Sequence, residues 1–313
     1  MDLLLTRLPQ PISHWLATAQ FEQLFLLLLA PVFLVTIAVE LLWWRARGRD
    51  VYQWRDTLNN SVLALSHQAA DALAWSLLLG LFYAVWRHRL FDIPFNLASV
   101  ILLYVLQDFL YYWFHRASHR IRWMWASHVV HHSQESLNLS TAFRQSLTYP
   151  ISGMWVFWLP LAWIGFKPEH IVLCVAVNLA YQFFVHTEAV NKLPRAYEWL
   201  FNTPSHHRVH HARNPQYIDR NYAGVLVIWD RLFGSFVPED PADPCDYGIT
   251  RQLKTRNPIR MMFHEWIDLF RDVARPGPLW LRTKHLWAPP EWQRENSAVQ
   301  TARRASVQAS RTR

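Results

Sequence analysis

The chain has 313 residues, of which 52% are hydrophobic and only 17% charged, with eighteen Trp and eighteen Phe. That balance excludes an ordinary soluble domain. The formal net charge of +8 and the pI of about 9.7 do not point to nucleic acid, because no aromatic-interleaved basic module is present and the basic region is tethered to long apolar segments.

A bilayer core asks for about 20 consecutive apolar residues per helix. The first such window, "FEQLFLLLLAPVFLVTIAVELLWW" (21–44), is too long for a signal-peptide core and ends in Trp43, Trp44 and Arg45, so it reads as a retained anchor. Pro31 within it is tolerable where neighbouring helices satisfy the freed carbonyl. Residues 61–86 and 95–114 are two further spans. The runs 149–166 and 170–186, joined by "KPE", are marginal in length and are expected to form a hairpin whose two ends lie on one face.

The expected fold is therefore all-α: an integral membrane bundle of about four to five hydrophobic helices with a cytosolic helical cap. Lys and Arg number one before the first span, four in 45–56, two in 87–94, four in 115–147 and one in 167–169. This alternation places the N-terminus outside and the cap inside. The expected organisation is an N-terminal segment (1–20), a membrane domain with its cap (21–237), a loop and amphipathic helix (238–290) and a disordered tail (291–313). Within the third part, "IRMMFHEWIDLFRDV" (259–273) has apolar positions at helical spacing and should lie on the cap or on the membrane surface. Two cysteines, Cys174 and Cys245, make no disulfide framework.

Sixteen histidines are present, and their clustering carries the chemistry. "HRASH" holds His115 and His119, "HVVHH" holds His128, His131 and His132, and "SHHRVHH" holds His206, His207, His210 and His211. Residues three and four apart share a helical face, so eight of these rings on three helical faces can surround more than one metal ion. Packed neutral imidazoles compete for few partners and protonated ones repel; a shared cation removes both problems. The isolated His14, His88, His170, His264 and His285 read as surface or core residues. His67 and Asp71, four apart in the second span, read as a buried structural pair.

Asp108, an intramembrane carboxylate one heptad before His115, is expected to orient that ring. His186, or Glu188 beside it, is expected to complete the site. His206, about 100° from His207 around a helix, faces a second metal edge or a hydrogen bond. Thiolates are absent from the clusters, and imidazole suits Fe, Zn, Cu and Ni alike, so spacing does not choose the metal.

At these residues the chain resembles the fatty acid hydroxylase superfamily, also called the sterol desaturase family, whose members carry HxxxH, HxxHH and HxxHH boxes between apolar spans. Within it, "YYWFHRASH", "HHSQESLNLSTAFRQS" and "NTPSHHRVHHARNPQYIDRNYAGVLVIWDRLFGSF" most resemble the alkylglycerol monooxygenase-like branch and its bacterial members. The resemblance implies a di-iron oxygenase of a bacterial inner membrane, with the boxed histidines as ligands, that uses O2 and two electrons to oxidise a C–H bond of a lipid. Electrons would come from tetrahydrobiopterin or from a cytochrome b5 or ferredoxin-type carrier. Where that branch places acidic residues after the first and second boxes, this chain has Arg120 and Ser136-Leu137. Other readings of the same residues are a zinc-dependent membrane hydrolase, a desaturase and a metal transporter or store.

Overall fold

The computed structural model describes residues 10–294, with side chains for Phe25 and from Leu28 onward. The expected tail beyond residue 294, the first nine residues and the His14 side chain lie outside what is described. Among the described residues there are helices and two isolated bridges, Phe201 with Leu226 and Ala212 with Tyr247, and no sheet.

Among the described residues three helices are long and apolar enough to cross a membrane: α1 (Gln10–Ala46), through its part Leu28–Ala46, α2 (Trp54–Arg87) and α3 (Leu97–Arg120). α1 runs unbroken through Pro31. Leu34, Val35 and Leu42 on α1, Leu65 and Leu77 on α2, and Leu97 and Ile101 on α3 are exposed apolar residues, a surface that only lipid can cover without cost. α3 is started by a capping box, in which Asn96 Oδ1 accepts from Ser99 N–H and Ser99 Oγ accepts from Asn96 N–H, each at 3.0 Å.

The fourth apolar run is not one helix. It breaks into α5 (Tyr149–Ser152), a 3-10 turn (Met154–Trp158) and α6 (Leu159–Ile164), with Gly153 at φ +86° ending the first piece. α7 (Pro168–Phe183) follows after Gly165, whose positive φ and closeness to the Phe91 carbonyl leave no room for a side chain. The tip of this hairpin lies beside the loop between α2 and α3, since Leu90 N–H donates to Trp163 O at 2.8 Å and Phe91 N–H to Ile164 O at 3.1 Å. α7 then returns alongside α3, pairing His170 with Phe95 and Asn178 with Gln107. Both ends of the hairpin therefore sit at the end of the bundle where α3 finishes, as expected.

At that end the chain folds into a cap. One extended residue, Ile121, separates α3 from α4 (Arg122–His132) and turns the second helix back across the first. Arg122 fixes this corner through Glu265 at 2.8 Å and Asp272 at 2.7 Å. The remaining cap helices are α8 (Arg195–Leu200), α9 (Pro204–His211), α10 (Ile228–Leu232), α11 (Pro258–Ala274) and α12 (Leu279–Trp287). Buried Glu40 of α1 joins cap to bundle, accepting from Leu139 N–H at 2.8 Å and from the Tyr52 and Thr187 hydroxyls.

Candidate metal centre

The histidine boxes meet at the junction of bundle and cap, and there they divide. His115 and His119 of α3, His128 and His132 of α4 and His210 of α9 form one group. His131 of α4, His186 after α7, and His207 and His211 of α9 form the other; in each group the nitrogens lie within 4.8 Å of one another. α4 thus gives two rings to the first group and one to the second, and α9 does the reverse. The groups share a wall, with the His132 and His211 rings stacked at 4.5 Å. None of the nine rings is more than 7% exposed.

Proton placement is dictated by what each Nδ1 faces. His115 Nδ1 lies 2.8 Å from Tyr222 O, His210 Nδ1 3.0 Å from Arg220 O, His186 Nδ1 2.7 Å from Gln182 O and His131 Nδ1 3.3 Å from Arg144 O. A carbonyl oxygen only accepts, so these rings carry their proton on Nδ1 and turn a bare Nε2 inward. Yet His186 Nε2 and His131 Nε2 stand 3.1 Å apart, two lone pairs facing each other. His119 Nε2 and His210 Nε2 are buried with no partner at all.

Protonation does not resolve this. Burial first, and then the neighbouring imidazoles, hold His128, His132, His207 and His211 well below the usual histidine range, and burial pushes His186 down to about 4. The remaining remedy is a cation between the lone pairs. Metal–nitrogen bonds of about 2.1 Å set at right angles separate two ligand nitrogens by roughly 3.0 Å, and the observed separations run from 2.9 Å for His207 with His186 to 3.1 Å for His211 with His207. The residues fit a pair of transition-metal ions, held by neutral imidazoles whose outer N–H groups are already oriented.

Three expected site residues stand elsewhere. Asp108 does not reach His115: its carboxylate accepts from Val225 N–H at 2.8 Å, Leu226 N–H at 3.0 Å, Trp229 Nε1 at 3.0 Å and Asn178 Nδ2 at 2.9 Å. It holds the 222–229 segment, whose Tyr222 carbonyl then orients His115. Glu188 faces Arg49 at 3.1 Å, outside both groups. His206 also lies outside, 3.0 Å from Glu198, and burial pushes it down to about 4 against the pull of that carboxylate. His186, the other candidate to complete the site, is in the second group.

The residues missed in the sequence are those of the loop "DRNY" (219–222). Among the described residues, Asp219 and Asn221 are the non-glycine ones with positive φ, +60° and +54°, and both are of the few types that tolerate that region. Their turns aim the Arg220 and Tyr222 carbonyls at His210 and His115, and put Asp219 Oδ1 3.5 Å from His119 Nδ1. Although burial opposes its charge, His119 and Arg120 hold the Asp219 carboxyl below the usual carboxylate range. Arg120, which follows the first box, is thus the partner of an acid supplied by the loop. Asp219→Asn should keep the backbone and remove the charge, lowering metal affinity about 10-fold with little change in Tm; Asp219→Val should lower both, as read by metal titration and thermal melting.

Gly224 has a plainer reason. A Cβ there would lie 2.8 Å from Asn178 Oδ1 and from Tyr111 Cδ1, and 3.0 Å from Asp108 Oδ1. Gly224→Ala is expected to cost on the order of 1–3 kcal/mol through this overpacking, measurable as a lowered melting temperature of the detergent-solubilised protein.

Fold and site together define a class: a membrane helical bundle with a double, imidazole-lined metal-type centre where its helices emerge. Residues 100–235, which hold the three histidine boxes, form a domain that matches the family model for fatty acid hydroxylase. Alkylglycerol monooxygenase from Homo sapiens is 38% identical over 251 residues, 79% of this chain and 55% of the relative. The Danio rerio protein of that name is 38% identical over 266 residues, 84% of this chain and 58% of the relative. Ornithine lipid hydroxylase OlsE from Rhizobium tropici is 28% identical over 152 residues, 49% of this chain and 46% of the relative. The chain spans a little over half the length of these two alkylglycerol monooxygenases. No solved structure matches it.

Proposed function

We propose that the chain is a membrane-bound, non-haem di-iron oxygenase that hydroxylates a C–H bond of a lipid, with the nine grouped histidines as ligands. The observation that carries this is the pair of adjoining, buried groups of imidazoles at the membrane end of α3, without a thiolate or carboxylate in either group among the described residues. Such a donor set is compatible with iron, and the five rings of the first group exceed the four ligands that close a structural zinc site. When bound, two iron ions would supply activation of O2, one oxygen atom going to the substrate carbon and the other, with two electrons and two protons, to water.

The chain's own residues do the rest. Backbone carbonyls of Gln182, Arg144, Arg220 and Tyr222 hold the protons on Nδ1 of His186, His131, His210 and His115, so that these four rings present a lone pair. Burial of all nine rings excludes water. The exposed apolar faces of α1 to α3 admit a lipid sideways, and the centre lies where a chain held in the bilayer meets the cap. The substrate is an ether lipid, a fatty acyl lipid or a sterol-like lipid; the alkylglycerol monooxygenases, at 38% identity, favour the first of these classes. The distribution of Lys and Arg supports a cytoplasmic position for the centre, in a bacterial inner membrane on this reading, with a reduced pterin or a cytochrome b5 or ferredoxin-type carrier as the electron donor.

The test is to express the full chain in membranes, assay its metal, and compare alkylglycerols, acyl lipids and sterols with and without O2. Oxygen-dependent loss of one lipid class with iron present is expected. Lipid turnover that persists without O2 or reductant, with zinc in place of iron, would instead favour the hydrolase.

A further inference from the structure

The cap carries a second feature, away from the histidines. α11 is amphipathic twice over. It is capped by Asn257, whose Oδ1 accepts from Ile259 N–H at 2.9 Å, with Pro258 in the first turn. Its inner face buries Met261, Met262, Trp266 and Leu269 against α4 and α2. Beside it runs a second apolar stripe: Ile259 is 64% exposed, Ile267 45% and Phe270 51%, and partly buried Phe263, packed on the inner clusters, joins the two at the same three- and four-residue spacing.

Two observations say what covers that stripe. First, it is continuous with the membrane hairpin: the Trp123 ring lies 6.2 Å from Phe270, and its Nε1 donates to the carbonyl of Ile151, an exposed residue in the first turn of the hairpin. α11 also packs on Leu63 of α2, at the level where Leu58 and Leu65 face lipid. Second, charge is sorted around it. Residues 258–287 hold five Lys or Arg against three Asp or Glu, and two of those acids, Glu265 and Asp272, are turned inward to Arg122. Arg260, Arg271 and Arg275 are exposed at the rim, the last two also reaching Asp268 at 3.4 Å and Asp272 at 3.0 Å, and Leu279 and Trp280 of α12 add exposed apolar area.

We propose that α11 is an interfacial helix, its Ile259–Ile267–Phe270 stripe sunk into the headgroup–acyl boundary of the same bilayer and its arginines meeting lipid phosphates. Because α11 packs directly on α4, which carries His128, His131 and His132, the bilayer surface then sets the depth of the ligand-bearing helix. The proposal does not depend on the reaction assigned above.

Spin labels test it directly. In a full-length Cys174→Ala, Cys245→Ser background, nitroxides are placed at Ile267→Cys and, separately, Phe270→Cys, and the protein is reconstituted in phosphatidylcholine–phosphatidylglycerol vesicles. Leu65→Cys serves as the lipid-facing reference and Arg251→Cys, whose native side chain is 90% exposed, as the water-facing one. Both α11 labels should be relaxed by O2 and shielded from a nickel chelate, giving a depth about 5–10 Å below the phosphates. Labels that meet the chelate as freely as the one at 251 would overturn the proposal. Exclusion of both reagents would overturn it too, since protein and not lipid would then cover the stripe.

Discussion

Replacing His131 and His210 together by Ala is expected to empty the centre. One ring is lost from each group, and each change leaves lone pairs of the remaining rings without the geometry that holds a cation. Loss of an outer partner alone costs up to about 100-fold in affinity or activity, and loss of a direct ligand in each group should cost more, so lipid turnover is expected to fall by more than about 100-fold with bound metal below one ion per chain. His88→Ala, an exposed residue in the loop after α2, should leave both unchanged. Metal content by mass spectrometry and a lipid-oxidation assay on the same preparation check this. Full activity in the double variant would sink the ligand assignment.

The second large effect is expected at Asp108, which is fully buried and touches no histidine. Asp108→Ala would leave the Val225 and Leu226 amides, the Trp229 indole N–H and the Asn178 amide without their acceptor. Each buried donor so orphaned costs about 1–3 kcal/mol, and the sum is not additive, so a loss of at least about 3 kcal/mol is reasonable. The 222–229 segment should then loosen and take the Tyr222 carbonyl from His115. The expected result is a strongly lowered melting temperature together with reduced metal retention. Asp108→Asn, which keeps acceptor oxygen but loses charge, should fall between it and the native chain. A variant that melts normally while losing metal would contradict this anchoring role and revive a direct one.

The comparison of Asp108 with His115 shows how far sequence reaches. Seven residues do bring the two onto nearly one helical face, but they also separate them by about 10.5 Å along the axis, beyond the reach of a carboxylate to a ring. Angular position was readable; axial distance decided the matter. The boxes behave similarly. Spacing within "HVVHH" and "HRVHH" puts rings on neighbouring helical positions, yet the division of each of these two boxes between two groups depends on how α4 crosses α3 and where α9 docks, which no local pattern encodes.

The three spans were legible because a 20-residue apolar window leaves few alternatives. The break in the fourth run had its signals in Gly153 and Pro160, where a flexible glycine and a missing N–H interrupt a helix. The "DRNY" loop was the larger omission. Asp and Asn flanking a single residue are a cue for left-handed backbone, but that cue says nothing about which carbonyls will meet which rings. His206 illustrates the converse: its angular offset from His207 left a metal edge or a hydrogen bond open, and Glu198 on the preceding helix supplies the second, at 3.0 Å.

The most direct measurement of the central claim is iron K-edge X-ray absorption on the full-length protein purified from membranes, with metal stoichiometry taken on the same sample. Two irons per chain in an imidazole-rich nitrogen and oxygen shell, with a neighbouring iron visible, is the predicted result. A single ion per chain, sulfur or haem ligation, or no iron at all, would contradict it.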